Sequence, residues 1–495
     1  MFFKNILETI AGLASAKNKK IYLVGGFLRD LYLGNPGPDL DFAVSGNAME
    51  LAKSVSEILQ GVYIPLDRIN RVARIVLESG GEKWQIDFSS FKGVSIEEDL
   101  SNRDFTINAT ALELFAYIKL SEDNGDLAAR RSARWRWHKQ LIDPHGGLAD
   151  IENKTIRAIS NYVFEADPAR ILRGARLAGK LGFSIKPETL ELMKQSHWLL
   201  QEVAGERIWA ELSAVLALPQ SYHWITILDE IGALSELFPL TIKPTSQARS
   251  RERVWAHNLK TYDLLEKLCG DPGGELSSTG RAGELGELVR QHLDQSLTTG
   301  RRRIQLIKTA ALLHDPGQAV TAMNREGQGT FPDHSKAGLK HVSEFARRLR
   351  MSKTEEAYLK NVVGSHMDSF SLFKNMPVEP AAIHRFFTKL GQEVTDILLL
   401  SLANAAASAA GGEESLDLPG YRAFVGNFLC KYYFEAGTYV HPPALVKGKD
   451  LIAALALPPS KKLGVLLDKI TEAQVNGQVT NKEEAIAYVA GLLAK

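Results

Sequence analysis

The spacing of apolar residues divides the chain into a mixed first part and a longer helical part. Between residues 20 and 115, short β-rich runs such as KIYLVGG, LDFAVSG and RVARIVLES alternate with helical stretches such as NAMELAKSVSEILQ. The two periods, close to 2 and 3.6 residues, predict an α/β head with a sheet and helices. From about residue 165 the helical period dominates, so a mostly α-helical remainder is predicted.

The ends of these patterns carry two further predictions. The start, MFFKNILETIAGLASAKNKK, begins like a targeting segment, but Glu8 interrupts the apolar run and the basic residues follow it. An amphipathic helix is therefore predicted there. Nothing approaches roughly 18 uninterrupted apolar residues, so no membrane contact is expected. Two glycine-rich polar stretches, residues 269–287 and 409–420, are predicted to be loops within the helical part.

Two carboxylates stand at the start of the second β-rich run. Residues i and i+2 of a strand point to the same face, so Asp39 and Asp41 in DLDFA project side by side. Paired oxygen ligands of this kind suit Mg²⁺, which leaves its other positions to water and phosphate. Asp87, on the later strand WQIDFSSF, is a third candidate that could meet the pair across the sheet. Two neighbouring carboxylates are often only solvated, so the pair indicates a metal site only in combination with the residues around it.

That context is the stretch VGGFLRD just before the pair. It predicts a strand, a turn at Gly25 and Gly26, and the start of a helix. Glycine allows close approach of the backbone to a ligand, and free N–H groups at a helix start favour phosphate. Arg29 adds a bidentate phosphate donor. Together with the carboxylates, this predicts a metal-dependent phosphoryl or nucleotidyl transfer site.

The length indicates how many domains to expect, and the net charge does not identify a binding partner. A chain of 495 residues exceeds one core, and at roughly 150 residues per domain three or four units are expected. The net charge is only +1. Basic residues are dense at 129–139, 300–308 and 346–353, which fits either a polyanion site or solvated helix faces. The two cysteines have no metal or redox spacing, which is consistent with a reducing cytoplasmic location.

Five ordered motifs between about residues 20 and 215 resemble one family. The stretch from Gly25 to Asp30, followed by Asp39 and Asp41, resembles the first motif of class II tRNA nucleotidyltransferases and bacterial poly(A) polymerases, of the polymerase-β-like superfamily. The other four are EEDLSNRDFTINATAL, LIDPHGGLADIENKTIRAI, DPARILRGARLAGKLGF and ERIWAEL.

The resemblance implies a template-independent transferase that adds C, A or both from CTP and ATP to the 3′ end of tRNA. It implies Mg²⁺ as cofactor and catalytic roles for Asp39, Asp41 and Asp87. The residues that it assigns to the nucleotide are Gly25, Gly26, Arg29, Asp30, Arg103, Asp104, Asn108, Asp167, Arg170, Arg173 and Arg176. A poly(A) polymerase, an HD-domain hydrolase and an inactive RNA-binding relative remain as alternatives.

The motif ADPARILRGAR is predicted to be the helix that selects the base. Pro168 favours the first helical position, which would make Asp167 the N-cap. Arginines at every third residue lie roughly on one side of a helix. The spacing alone fits a capped helix with a solvated arginine stripe equally well. In the family, an aspartate and an arginine that match Asp167 and Arg170 pair with the edge of cytosine or adenine. The glutamate usual before the aspartate is Ala166 here.

Two other segments depart from the family. Full CCA-adding members carry a flexible loop between the third-acid strand and the EEDL helix. In DFSSFKGVSIEEDL only a few residues separate the strand from the helix. A short loop is the mark of CC-adding relatives, although the sequence leaves C, CC, A and CCA addition open. The insertion at 117–140, with Trp135 and Trp137 among arginines, fits either RNA contact or an exposed hairpin.

Residues 250–410 resemble an HD domain, a helical fold of metal-dependent phosphohydrolases. His257, His314 and Asp315 would form a second site for a divalent transition metal, with His334, His341 and His366 following in order. Asn404 stands for the usual distal aspartate, and Gln318 for the usual lysine. Hydrolysis and a purely structural body therefore both remain open.

The chain is accordingly predicted to have four domains and a cytoplasmic location, with the oligomeric state undetermined. They are a catalytic head at 1–145, a helical neck at 146–235, an HD-type body at 236–410 and a helical tail at 411–495. The tail resembles the C-terminal module of long family members, and a grip on tRNA is the role that this likeness implies.

Overall fold

The chain folds into two compact units in the computed structural model. It describes residues 2–79, 81–124, 138–238, 248–276, 280–315, 334–411 and 417–494. One unit, the head unit, comprises residues 1–203 and 230–233, and the other, the body unit, comprises 204–229 and 234–495. The predicted α/β head with a mostly helical remainder is confirmed.

A mixed six-stranded sheet forms the centre of the head unit. Its strands are β1 (Ile21–Val24), β2 (Asp39–Val44), β3 (Val62–Asp67), β4 (Val72–Ser79), β5 (Glu82–Ser90) and β6 (Ala111–Glu113). The spatial order is β3-β4-β5-β2-β1-β6. Strands β2 and β5 run parallel, and every other neighbouring pair is antiparallel.

Helices cover the sheet and extend the head unit. They are α1 (Phe2–Ala16), α2 (Gly26–Leu33), α3 (Ala48–Leu59), α4 (Ile96–Ser101), α5 (Leu114–Asn124), α6 (Gly147–Glu152), α7 (Val163–Ala166), α8 (Arg170–Leu181) and α9 (Pro187–Ser196). Short 3₁₀ helices lie at Thr106–Asn108, His138–Gln140 and His197–Glu202, and β7 (Thr155–Ile156) pairs in parallel with β8 (Ser184–Ile185).

The two sheet faces differ in what covers them. One face packs against α1 and α3, and Leu40, Phe42, Ile75 and Phe88 are buried there. The predicted amphipathic helix is confirmed, since α1 buries Ile6, Leu7 and Ile10. On the opposite face a smaller cluster that includes Ala43, Ile96 and Leu100 covers the β2 and β1 end. The rest of that face carries the polar residues and the exposed apolar residues that are described below.

Among its described residues, the body unit is helical apart from a short hairpin of β9 (Ser296–Thr298) and β10 (Arg301–Arg302). Its first helices are α10 (Gly205–Leu216), α11 (Ser221–Glu230), α12 (Ala233–Leu237), α13 (Ala248–Gly270), α14 (Pro272–Glu275), α15 (Ala282–Asp294) and α16 (Arg303–Leu313). Then follow α17 (His334–Arg348), α18 (Lys353–Ser365), α19 (Asp368–Lys374), α20 (Pro380–Leu390), the 3₁₀ helix Gly391–Glu393 and α21 (Val394–Ala410). The last are α22 (Leu418–Phe434), α23 (Ala436–Tyr439), α24 (Gly448–Leu455), α25 (Lys461–Val475) and α26 (Lys482–Leu493).

One stretch of the body unit, Pro380–Ala410, is long and apolar enough to cross a membrane by length and composition. Within its apolar 18-residue segment, 72% of the residues are buried inside the protein. A core helix has this character, and α21 packs against α13 in the centre of the unit.

Candidate active site

The three candidate acids lie on one face of the central sheet, as the alternation predicts. In β2, Leu40 and Phe42 are buried on the core side, so Asp39 and Asp41 project from the other side. Strand β5 lies beside β2 with Asp41 opposite Asp87 and Asp39 opposite Gln85. The structure therefore brings Asp87 next to the pair, across the sheet.

A fourth residue, not identified from the sequence, completes this row. Arg74 on β4 lies opposite Asp87 and donates two hydrogen bonds to it, from Nε to Oδ1 at 2.7 Å and from Nη2 to Oδ2 at 2.8 Å. Both carboxylate oxygens of Asp87 are thus engaged by one guanidinium. The alternation of RVARIVLES indicates which face of its strand carries Arg74. The sequence does not indicate that this strand pairs with β5, so it does not identify Asp87 as the partner of Arg74.

The carboxylate of Asp41 has an environment that suits a cation. Burial raises its pKa to about 6, the nearby charge of Asp87 adds to the rise, and Arg103 opposes it. Asp39 raises it further. Clustered carboxylates whose charges destabilise one another are the donor set that a divalent cation neutralises. The residues present therefore fit a divalent metal ion at Asp39 and Asp41.

The glycine turn approaches this carboxylate directly. Gly25 precedes α2 with φ 72° and ψ −144°, a conformation that residues with a Cβ rarely adopt. A Cβ at this position would lie 2.9 Å from Asp41 Oδ2 and 3.4 Å from Arg103 Nη1. The predicted strand, turn and helix start are confirmed, and α2 begins at Gly26.

Arg29 begins a chain of hydrogen bonds that crosses the head unit. Its side chain is buried, and it bonds Asp30 through Nε at 2.8 Å and Asn108 Oδ1 through Nη1 at 2.7 Å. Asn108 in turn donates through Nδ2 to Asp104 Oδ1 at 3.1 Å. Arg173 on α8 donates to the other oxygen of Asp104 at 3.4 Å. These hydrogen bonds link α2, which follows the glycine turn, to α8.

Asp104 is ionised within this chain. Burial raises its pKa, but Arg173, the Asn108 amide and the Phe105 N–H outweigh that effect, and the net pKa lies below its ordinary value. Arg103, the preceding residue, pairs with Asp99 at 2.9 Å. The carboxylates of Asp99 and Asp104 therefore fix the orientations of two arginines at the site.

Asp167 precedes a tight turn that leads into the regular part of the selecting helix. Helix α8 begins at Arg170 with Ala169 as its N-cap, and Asp167 follows the short helix α7 in an extended conformation. The Arg170 N–H donates to the Asp167 carbonyl at 3.1 Å, so a tight turn precedes the regular helix. The Asp167 carboxylate lies 3.9 Å from Arg170 Nε.

The arginines of α8 share one side of the helix, as their spacing predicts. Arg170 is buried and donates through Nη2 to the Asn102 carbonyl at 3.0 Å, while Arg173 and Arg176 are half-buried. All three line a cavity of about 890 Å³ whose other walls include the glycine turn, both acids of β2 and Asp87. Asp167 does not line this cavity.

Two other predicted features are the short connection before α4 and the insertion at 117–140. Residues 91–95 alone join β5 to α4, so the connection is as short as the sequence suggests. Of the 117–140 insertion, residues 125–137 lie outside the described residues, and so do Trp135 and Trp137.

A second cluster lies in the body unit, around His257, His314 and Asp315. Their ligand atoms lie within 4.8 Å of one another, the one such group of three or more among the described residues. His366 adds a fourth group, with Nε2 3.9 Å from Asp315 Oδ1. His341 instead approaches Glu344 at 3.3 Å, and the side chain of His334 and residues 316–318 are outside the described set.

The hydrogen bonds of this cluster suit a metal ion. His314 Nδ1 lies 2.9 Å from the Ala311 carbonyl, which only accepts, so Nδ1 carries the proton and Nε2 presents a lone pair. Burial lowers the pKa of His314 to about 4, so the ring is neutral at pH 7. Its Nε2 nevertheless faces Asn404 Oδ1, another acceptor, at 3.2 Å. The Asn404 side-chain amide, at the place of the usual distal aspartate, therefore lies beside both His257 and His314.

Family models match four successive parts of the chain. Residues 21–157 match the poly(A) polymerase head domain, and residues 182–243 match an RNA and SrmB binding site of polymerase A. Residues 254–398 match the HD domain, and residues 441–490 match domain 2 of tRNA nucleotidyltransferases.

Similar proteins match over nearly the whole chain. A CC-adding tRNA nucleotidyltransferase of Geobacter sulfurreducens is 29% identical over 97% of this chain and 94% of its own. A CC-adding enzyme of Synechocystis sp. is 26% identical over 95% and 93%. An A-adding enzyme of Deinococcus radiodurans is 27% identical over 94% of each.

Solved structures share the fold at low identity. A CCA-adding enzyme in complex with ATP matches with a TM-score of 0.64 and 21% identity over 99% of this chain and 94% of that chain. The Thermotoga maritima CCA-adding enzyme in complex with tRNA matches with a TM-score of 0.62 and 20% identity over 99% and 95%.

Proposed function

We propose that the chain is a member of the family of poly(A) polymerases and tRNA nucleotidyltransferases and that it adds C, A or both from CTP and ATP to the 3′ end of tRNA without a template. The observation that carries the proposal is the position of Asp39 and Asp41. They lie in one cavity with the glycine turn and with the arginines of α8. The cavity therefore offers a metal site, a phosphate site and polar groups for a base.

Different residues of the cavity are proposed to hold the metal ion and the triphosphate. Asp39 and Asp41 would hold Mg²⁺, which would activate the tRNA 3′-hydroxyl and stabilise the leaving pyrophosphate. Asp87 is the third acid, and Arg74 keeps its carboxylate in place. Gly25, Gly26 and the Arg29–Asp30 pair face the triphosphate side.

Selection of the base is proposed for the α8 side of the cavity. Arg170 and Arg173 line it, and Arg173 is oriented by Asp104, which Asn108 joins to Arg29. A guanidinium donates to the ring acceptor of cytosine or adenine. Asp167 stays proposed as the carboxylate that accepts from the exocyclic amino group, and it would have to turn toward the cavity to do so. Arg103 and Arg176 supply further charge near the phosphates.

Addition of C is the favoured form of this activity. The connection at 91–95 lacks room for the flexible loop that CCA-adding relatives carry, and two full-length relatives are CC-adding enzymes. We propose the cytoplasm as the place of action, since the substrate class is tRNA and both cysteines are free.

The test is incorporation of labelled CTP and ATP, separately and together, into tRNA transcripts that end at successive positions of the CCA terminus. We expect CTP addition that stops after the second C, and no addition by the Asp39→Ala/Asp41→Ala variant. ATP addition to a transcript ending in CC would show that the longer loop is dispensable. Extension of any RNA with ATP alone would identify a poly(A) polymerase, and no incorporation above the variant would overturn the proposal.

A second activity is proposed for the body unit, because His257, His314, Asp315 and Asn404 surround one point. A divalent transition metal held there would supply a bound hydroxide for phosphate ester hydrolysis. The test is release of phosphate from nucleotide monophosphates with Ni²⁺, Co²⁺ or Mn²⁺. We expect His314→Ala to abolish that release, and equal release by wild type and variant would remove the activity.

A further inference from the structure

The sheet face that carries the acids continues into an exposed apolar surface. Arg74, which lies opposite Asp87, also lies opposite Ile64 on β3. Asp41, Asp87, Arg74 and Ile64 therefore form one row across four neighbouring strands. With strands about 4.8 Å apart, the row extends roughly 14 Å from Asp41 to the sheet edge.

We define the hairpin face as Val62 and Ile64 of β3 with the three residues that face the same way on β4, which are Val72, Arg74 and Val76. Val62 is 63% exposed and Ile64 is 37% exposed. The alternate residues of β4, such as Ile75 and Leu77, face the core and are buried. Exposed apolar residues beside a catalytic cavity mark a binding surface more often than isolated ones do.

Cations border the hairpin face. Arg68 and Arg71 are exposed in the turn between β3 and β4, on either side of Ile69, which is 92% exposed. The turn is ordered, since Asp67 Oδ1 accepts from the Ile69 and Asn70 N–H groups at 2.9 and 3.0 Å. Apolar surface with flanking arginines suits the bases and phosphates of a single strand of RNA.

The geometry of the reaction leaves this side for the second substrate. The glycine turn and the arginines of α8 occupy the other end of the cavity, where the nucleotide is placed above. Asn70, Val72 and Arg74 line the end toward β4. The attacking 3′-hydroxyl must reach the acids from the side that the triphosphate leaves open.

A protein strand is a poorer occupant. β3 is the edge of the sheet, but Pro65 in its middle has no N–H to donate to an added strand. From these observations we propose that the hairpin face binds the last unpaired nucleotides of the RNA substrate, with bases against Val62 and Ile64 and phosphates near Arg68 and Arg71. This inference rests on the proposed function, and it adds the path of the RNA.

The first test compares Val62→Thr/Ile64→Thr with wild type in the addition of CTP to a tRNA transcript. Threonine retains a high strand propensity, so the hairpin is expected to fold. The matched control is Ile58→Thr, since Ile58 is 58% exposed on α3, which packs on the other face. We expect the KM for tRNA to rise about tenfold with the KM for CTP unchanged. An unchanged KM for tRNA, or an equal rise in both constants, would overturn the inference.

The second test uses the wild-type protein and does not depend on catalysis. A transcript with 4-thiouridine at its last nucleotide is crosslinked by light, and the labelled peptide is identified. Crosslinks within residues 62–76 support the inference, while crosslinks confined to other peptides overturn it. If wild type binds and crosslinks through this hairpin but adds no nucleotide, the proposed function fails and the hairpin face stands as an RNA site.

Discussion

At position 25, the backbone conformation and the space around Cα both require glycine. A Gly25→Ala side chain would be strained at φ 72° and would meet Asp41 Oδ2 at 2.9 Å. We expect nucleotide addition to fall at least tenfold, because a displaced carboxylate no longer holds the metal in position. Stability should fall by only about 1–3 kcal/mol, since the strain is local. Steady-state kinetics and thermal unfolding measure the two effects.

The matched control for that substitution is Gly12→Ala in α1, where a Cβ would meet nothing within 4 Å. It should leave kcat unchanged and raise stability by up to about 1 kcal/mol, because alanine favours the helix. Wild-type kcat in Gly25→Ala would show that the close approach to Asp41 has no catalytic importance.

His314 supplies a prediction about pH in the metal-free protein. Its pKa is lowered to about 4 in the folded state by burial, whereas an unfolded histidine titrates near its ordinary 6.5. The unfolded chain therefore binds the extra proton first, and stability falls as pH decreases from above 6.5 toward 4. From pH 7.5 to pH 5 this group should remove about 2 kcal/mol.

The measurement is denaturant unfolding of wild type and His314→Gln at both pH values in EDTA. The difference between pH 7.5 and pH 5 should be about 2 kcal/mol smaller in the variant, because glutamine does not titrate. Equal pH dependence in the two proteins would mean that the imidazole is not buried as the structure shows.

At the scale of elements, local patterns predicted what depends on neighbours in sequence. The alternation of LDFAV placed Asp39 and Asp41 on one face, and VGGFLRD gave the strand, turn and helix. The motif with Asp167 and Pro168 shows how uncertain a helix start is, because a tight turn follows Asp167 and the first regular residue of α8 is Arg170. Helix ends are sensitive to such local competition.

Contacts that depend on the order of strands in the sheet could not be predicted from the sequence. Arg74 stands thirteen positions before Asp87, and only the antiparallel pairing of β4 with β5 makes them partners. Asn404 is a different case, because the family resemblance placed it at the distal position of the histidine cluster, and the structure shows that it reaches His257 and His314 from α21. Side-chain identity suggested the chemistry in each case, while the contacts follow from long-range packing that no local period encodes.

At the scale of the whole molecule, each candidate site lies within one unit. The cavity residues fall between Gly25 and Leu181 in the head unit, and the histidine cluster falls between His257 and Asn404 in the body unit. The finer division into four domains stays a prediction. Chemistry that is confined to separate units should be separable by substitution.

We therefore expect Co²⁺ binding and nucleotide addition to respond to different variants. Asp39→Ala/Asp41→Ala should abolish addition and keep the visible absorption of Co²⁺ bound at the histidine cluster, since those ligands are untouched. His257→Ala/His314→Ala should lose that absorption and keep addition within about twofold, because the head-unit cavity contains neither residue. Circular dichroism confirms that each variant is folded. A folded histidine variant without nucleotide addition would mean that the two units act together, with the body-unit cluster required for the transfer reaction in the head unit.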